Sequence, residues 1–328
     1  MTTSMRLWNG AEVPRVGMGC WAIGGPVNED APSTSYGAVD DAVSRRALRL
    51  SYELGARVFD TAAYYGAGHS EMLVGEEISP HDDAVIVTKF GYDVDSANRR
   101  VGPDNVTPEG IRRTIDGSRK RLRRDRLDLA LLHLNGMDPA LAPQVFDTLE
   151  ALVAEGKVAA YGWSTDFMPQ ALSAVDYPHF VAFENDYNVF TPAEALMLLA
   201  EAKGKISLSR LPLAMGLLTG KFRPDDKLNS DDVRAQAHSW LMFFKDGKPN
   251  ATYLERIAAL RALLQSGGRT LAQGALGWIL ARSPAALPVP GFRNEAQVTD
   301  NFGANQKGPL PATVMTEIDA VLAGFGEE

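Results

Sequence analysis

Cysteine is almost absent: Cys20 is the single one among 328 residues. No internal disulfide can form, and a reducing compartment is expected. Long apolar runs are missing as well. None approaches the ~20 residues that a membrane-spanning helix needs, and the opening MTTSMRLWNGAEVP has no apolar core of a secretory signal. A cytoplasmic protein is the expectation, so the sequons at Asn105 and Asn250 carry no glycosylation reading. Positive charge is in deficit. Lys and Arg number 33 against 41 Asp and Glu, a net of -8, which argues against nucleic acid or a membrane surface as partner, since both call for a positive field. The dense basic run RKRLRRDR (119–126) lies near the end of a helical pattern, where the dipole favours cations. The five histidines are scattered with no HxxxH or Cys/His cluster, so no metal is expected. No linker-like stretch divides the chain, and one domain over 1–328 is expected.

What is present is an alternation. Short apolar runs read as strands buried on both faces: VPRVGMG (13–19), ARVFD (56–60), AVIVTK (84–89), LDLALLH (127–133), VAAYGWS (158–164), FVAFEND (180–186), KISLS (205–209) and LPVPG (287–291). Amphipathic stretches separate them. Thr107-Pro108-Glu109 supplies an N-cap, a first-turn proline and an acid for one helix, and Thr191-Pro192 reads as opening another in the same way. About eight β-then-α units predict a parallel sheet closed into a (β/α)8 TIM barrel, with long loops at its C-terminal face. Segment 222–253 is long for a connection and reads as a lid or binding loop, with Trp240, Phe243 and Phe244 to dock it.

In such a barrel, reactive groups gather at the C-terminal strand ends. Those ends carry Asp60, Lys89 and His133, and the loop after Asp60, DTAAYYG, adds Tyr64 and Tyr65. A phenol is a poor acid at neutral pH, and an adjacent ammonium lowers its pKa. A carboxylate can hold that ammonium, and an imidazole can orient a carbonyl oxygen. This much leaves open which of the two tyrosines acts. Two glycine-rich stretches are decoys. Gly17-Met18-Gly19-Cys20-Trp21-Ala22 fits a dinucleotide fingerprint but opens no helix pattern, and GLLTGK (216–221) is one residue short of a phosphate loop.

FDTAAYYG, VTKF, LDLALLH, VPRVGMGCWAIGG, AAYGWST, PLAMGLLTGKF and LPVPGFRNEAQVTDN resemble, in order, segments of the aldo-keto reductases. The resemblance implies an NADPH-dependent enzyme that reduces an aldehyde or ketone, a small-molecule carbonyl, by a tetrad of Asp60, Tyr65, Lys89 and His133. Tyr65 is the acid because the family's tyrosine lies five positions after the aspartate. Hydride would come from nicotinamide C4, which needs no metal. A sugar or polyol dehydrogenase working oxidatively is an alternative, as is a non-catalytic NADPH-binding subunit. Oligomeric state is not readable.

The same resemblance places Ser164 and Thr165 at the nicotinamide carboxamide. Glu184 stands where glutamine is common, and Arg210 stands where an aromatic ring often stacks. A salt link from Arg210 to Glu184 or to a phosphate, coupling the two replacements, is the expectation. Residues 211–221, among them Pro212, Leu213, Gly216 and Lys221, would hold the pyrophosphate. Gly291, Arg293, Asn294, Gln297 and Asn301 would hold the adenine end, with Arg293 on a 2′-phosphate. Trp21, Tyr64, Phe90 and Tyr92 are candidates for the substrate wall. A chain that ends soon after the 312–323 helix suggests an open pocket.

Overall fold

The computed structural model describes residues 3–28 and 32–326. Both ends of the expected 1–328 domain, and Glu29 to Ala31, lie outside the described residues. The main sheet has eight strands: β1 (Met18–Gly19), β2 (Val58–Asp60), β3 (Val85–Phe90), β4 (Leu129–Leu132), β5 (Tyr161–Ser164), β6 (Phe180–Asp186), β7 (Ile206–Arg210) and β8 (Ala286–Pro288). They are ordered β1 to β8 in sequence, and every neighbouring pair is parallel. A parallel bridge between Gly19 and Gly291 joins the two edges and closes the barrel. Close approach there requires glycine: a Cβ on Gly19 would lie 2.6 Å from the Val289 carbonyl oxygen. Each of the eight predicted strands contributes to this barrel, with one adjustment. Of segment 13–19 only its end enters the barrel, because Glu12–Pro14 pairs antiparallel with Ser4–Arg6 in a separate hairpin. That hairpin plugs the underside. Leu7 and Val13 join the apolar interior formed by Val58, Val85, Val87, Leu129, Leu131, Leu208 and Leu287, with Met5 and Trp8 packed against it.

Helices cover the outside: α1 (Asp41–Glu53), α2 (His69–Glu77), α3 (Pro108–Leu122), α4 (Ala142–Ala154), α5 (Met168–Ala174), α6 (Glu194–Ala202), α7 (Ala251–Leu264), α8 (Leu271–Arg282), α9 (Glu295–Lys307) and α10 (Ala312–Ala323). The outer face of the sheet packs on them through a second apolar layer that includes Phe59, Ile86, Phe90, Trp163, Phe183 and Trp278. Among the described residues no helix is long and apolar enough to cross a membrane. Thr107 caps α3 as expected, accepting from Gly110 N at 3.1 Å. Thr191 does not cap α6. It is spent in a tight antiparallel bridge with Asn188, and α6 starts three residues later without a side-chain cap.

The basic run is a solvated, paired helix end. Arg119 meets Asp116, Arg121 meets the buried Glu71, and Arg123 meets Glu76. In the 222–253 segment Phe243 and Phe244 are buried as anchors, while Trp240 stays half exposed with its ring 6.5 Å from Trp21.

Candidate active site

The C-terminal ends of the strands open onto a cavity of about 730 Å³. Asp60 ends β2, Lys89 lies one residue from the end of β3, and His133 directly follows β4. Tyr65 sits in the loop after β2. Two glycines bring that loop against the loop after β1: a Cβ on Gly66, which has φ +62°, would fall 1.9 Å from the Gly24 carbonyl oxygen, and one on Gly24 would fall 2.8 Å from the Tyr65 carbonyl carbon. The four expected catalytic side chains therefore converge. Lys89 Nζ donates to Asp60 Oδ1 at 2.5 Å, to the Thr61 carbonyl at 3.1 Å and to the Tyr65 hydroxyl at 3.2 Å. The His133 ring stands edge-on to Tyr65 at 5.8 Å, and Tyr64 and Tyr92 flank it at 5.8 and 5.9 Å.

Burial dominates the protonation of this cluster. It drives the His133 imidazole well below its ordinary pKa, with Lys89 and Arg210 adding to the effect, so the ring is neutral. Burial, then Glu184, push the Asp60 carboxyl up to about 7 against the pull of Lys89. Burial also works to deprotonate Lys89, but Asp60 and Glu184 outweigh it and hold the ammonium charged. Tyr65 departs from the sequence-based expectation. Lys89 lowers its pKa as argued, yet burial raises it more, and the phenol stays above its ordinary range. A protonated Tyr65 is thus the resting state.

Around the floor, Glu184 of β6 and Arg210 at the end of β7 both line the cavity, but they do not pair as expected. Arg210 Nε donates to Asp186 at 2.7 Å, one terminal nitrogen to Asp166 at 2.6 Å and the other to Ser164 Oγ at 3.1 Å. Glu184 instead lies 3.2 Å from Lys89 Nζ. Ser164 and Thr165 are fully buried and do not line the cavity. Ser164 accepts from Arg210, and Thr165 Oγ1 donates to the Asn135 carbonyl at 2.7 Å. Phe90 is likewise misassigned to the substrate wall. Strand alternation turns it away from the cavity into the layer under the helices, whereas Trp21, Tyr64 and Tyr92 do line the cavity.

The rest of the expected cofactor set lines the same cavity. Pro212, Leu213, Gly216 and Lys221 line it, as do Gly291, Arg293, Gln297 and Asn301. Leu211, Ala214 and Met215 adopt left-handed φ of 47°, 48° and 55°, a strained geometry for non-glycine residues. The segment is pinned by Asn188 on the Leu211 carbonyl and by Arg234 on the Met215 carbonyl, each at 3.1 Å. The turn also holds itself, with Ala214 N donating to the Leu211 carbonyl and Gly216 N to the Leu213 carbonyl, each at 2.9 Å. Asn294 caps α9 by accepting from Gln297 N at 3.0 Å, and Asn301 Nδ2 donates to the Gly291 carbonyl at 3.0 Å. Arg293 donates to the Tyr36 and Ala38 carbonyls, and among the described residues no carboxylate is its hydrogen-bond partner.

Sequence reasoning missed Asn135, Asp166 and Asp186. Asp186 ends β6, so the strand-end rule that found Asp60 would have found it too. Asp166 and Asn135 have no such local signal: they are joined by Asn135 Nδ2 donating to Asp166 at 2.8 Å across two loops. Trp240 and Tyr36 also line the cavity.

The family profile described as "Aldo/keto reductase family" matches residues 15–323. Among curated proteins, the chain is 25% identical over 313 residues to the Schizosaccharomyces pombe aldo-keto reductase yakc, whose name carries NADP(+), covering 92% of this chain and 86% of that one. It is 27% identical over 325 residues to the NADH-specific methylglyoxal reductase of Escherichia coli, covering 94% and 95%. Among solved structures, a glycerol dehydrogenase from Gluconobacter oxydans superposes with a TM-score of 0.82 at 25% identity, covering 99% of this chain and 97% of that one.

Proposed function

The chain belongs to the aldo/keto reductase family, and from that premise we propose that it reduces an aldehyde or ketone with NADPH, reversibly, using Tyr65 as the proton donor. The observation that carries this reading is Lys89 Nζ bonded at once to Asp60 and to the Tyr65 hydroxyl on the cavity floor. When bound, the reduced nicotinamide supplies the hydride that goes to the carbonyl carbon. Tyr65 gives its proton to the carbonyl oxygen. Lys89 stabilises the phenolate that remains, and Asp60 keeps Lys89 charged and aimed. His133 is neutral, and its Nδ1 is buried without a hydrogen-bond partner among the described residues. A proton there would be left unsatisfied, so the N–H sits on Nε2, where it can orient the carbonyl oxygen.

Several observations support a dinucleotide here. The strained 211–216 turn suits a pyrophosphate, and Arg293 and Lys221 offer cations for further phosphate. The buried Glu184 Oε2, which has no hydrogen-bond partner among the described residues, can accept from a carboxamide NH2. Arg293 favours the 2′-phosphorylated cofactor over NADH. Trp21, Tyr64, Tyr92 and Trp240 form an aromatic wall that suits a carbonyl carrying an apolar body. The likeness to a glycerol dehydrogenase favours a second reading, oxidation of a polyol by the same groups in reverse.

NADPH consumption with 4-nitrobenzaldehyde, and NADP+ reduction with glycerol, are to be measured for the native chain and for Tyr65→Phe. Turnover by the native chain, reduced at least ~100-fold in the variant while NADPH still binds, is the expected result. A native chain that binds NADPH and turns over no carbonyl or polyol would reduce the protein to a cofactor-binding subunit.

A further inference from the structure

The floor of the cavity carries an unbalanced negative charge, and its source is Glu184. Lys89 has three N–H donors, and all three are committed to Asp60, the Thr61 carbonyl and Tyr65. Glu184 Oε2 lies only 3.2 Å from Nζ yet receives no hydrogen bond from it, and it is buried without a hydrogen-bond partner among the described residues. The other cation on this side, Arg210, is spent on Asp186, Asp166 and Ser164. Glu184, Asp166 and Asp186 thus face Lys89 and Arg210, three carboxylates against two cations even where Asp60 keeps its proton, and His133 is neutral.

A nicotinamide ring is cationic when oxidised and neutral when reduced. An anion fixed in a water-poor pocket stabilises only the cationic form, and the low dielectric strengthens the effect. We propose that Glu184 is a redox-discriminating residue: its carboxylate makes this site bind the oxidised cofactor in preference to the reduced one. The inference rests on the reading of the cavity as a nicotinamide site. It has a direct consequence for catalysis. Stabilising the oxidised cofactor draws the bound equilibrium toward the alcohol, so Glu184 biases the central step toward carbonyl reduction and makes release of the oxidised cofactor slow.

The test is binding, without substrate. Dissociation constants for NADP+ and NADPH are measured by calorimetry for the native chain, Glu184→Gln and Glu184→Asp, with circular dichroism melts to verify folding. Native protein is expected to bind NADP+ more tightly than NADPH. Glu184→Gln, nearly isosteric and uncharged, is expected to move the ratio of the two constants by about tenfold or more toward NADPH, and Glu184→Asp to keep it within about threefold of native. If both forms bind but the ratio is the same in native and Gln proteins, the inference is overturned and the proposed function stands. If the native chain prefers NADPH, the inference is overturned even should the Gln variant not fold. If neither form binds the native chain, both fall.

Discussion

Replacing Arg210 by methionine isolates the energetics of the network beneath the cavity. The substitution keeps the length of the aliphatic stem and deletes the guanidinium. Asp166 and Asp186 then lose their bonds at 2.6 and 2.7 Å, and Ser164 loses a donor. Removing one partner of a fully buried ion pair costs about 3–5 kcal/mol, whereas a solvent-exposed pair is worth about 0–1 kcal/mol. Here the side chains are 23% exposed for Arg210, 28% for Asp166 and 27% for Asp186, close to the buried limit but reached by some water. A cost of about 2–3 kcal/mol follows. Much of it is the expense of two carboxylates left facing each other. Neutralising one of them should therefore give part of it back, and Arg210→Met with Asp186→Asn should recover about 1 kcal/mol relative to the sum of the single changes. Equilibrium urea unfolding of the three variants measures both numbers. A single-variant cost under about 0.5 kcal/mol, or additivity within about 0.3 kcal/mol, would refute a network held by buried charge.

Gly24→Ala places a methyl 2.8 Å from the Tyr65 carbonyl carbon and 3.1 Å from its Cβ. Backbone rather than a flexible side chain must yield, so kcat should drop by about 10- to 100-fold with NADPH affinity near native. Asp60 gives a pH signature. Its folded carboxyl, at about 7, keeps a proton that the unfolded chain, at an ordinary 3.8, has released. The folded state therefore binds more protons between those values. The stability from this group is complete below about pH 4 and is lost as pH rises through 7. Asp60→Asn should flatten the decline of melting temperature from pH 5 to 7, and an unchanged slope would count against the assignment. Arg293→Leu should weaken NADPH by about tenfold and NADH by less than about threefold, by calorimetry; equal losses would mean that Arg293 serves only to tie down the Tyr36 and Ala38 carbonyls.

The barrel was legible because its signals are local and repeated. β-Branched runs such as AVIVTK, broken by amphipathic stretches, left few other topologies, and the strand-end rule then located Asp60, Lys89 and His133. Choosing Tyr65 over Tyr64 came from resemblance. In the structure the Tyr65 hydroxyl reaches Lys89, whereas the Tyr64 ring packs edge-on to Tyr92, and both rings stand 5.8 Å from His133. What stayed illegible was pairing. Arg210 has three carboxylates near it, and the choice of Asp166 and Asp186 over Glu184 depends on the β6–β7 register, which sets Asp186 opposite Arg210, and on where the loop after β5 places Asp166. The direction of the Tyr65 shift was misjudged for a related reason: the attraction of a neighbouring lysine can be named from sequence, but the depth of burial opposing it cannot. Thr191-Pro192 shows the limit of cap rules, since the same dipeptide served a tight bridge.

The hairpin under the barrel also sets an order of events. With Leu7 and Val13 wedged among the lower strand residues, the molecule is a cup whose traffic passes through the rim. On the proposed reading, with the nicotinamide beside Glu184 and the carbonyl against Trp21 and Trp240, the first guest must arrive before the second and depart after it. Compulsory sequence is thus a property of the vessel's shape, and the last guest to leave is the one that limits how soon the cup can be filled again.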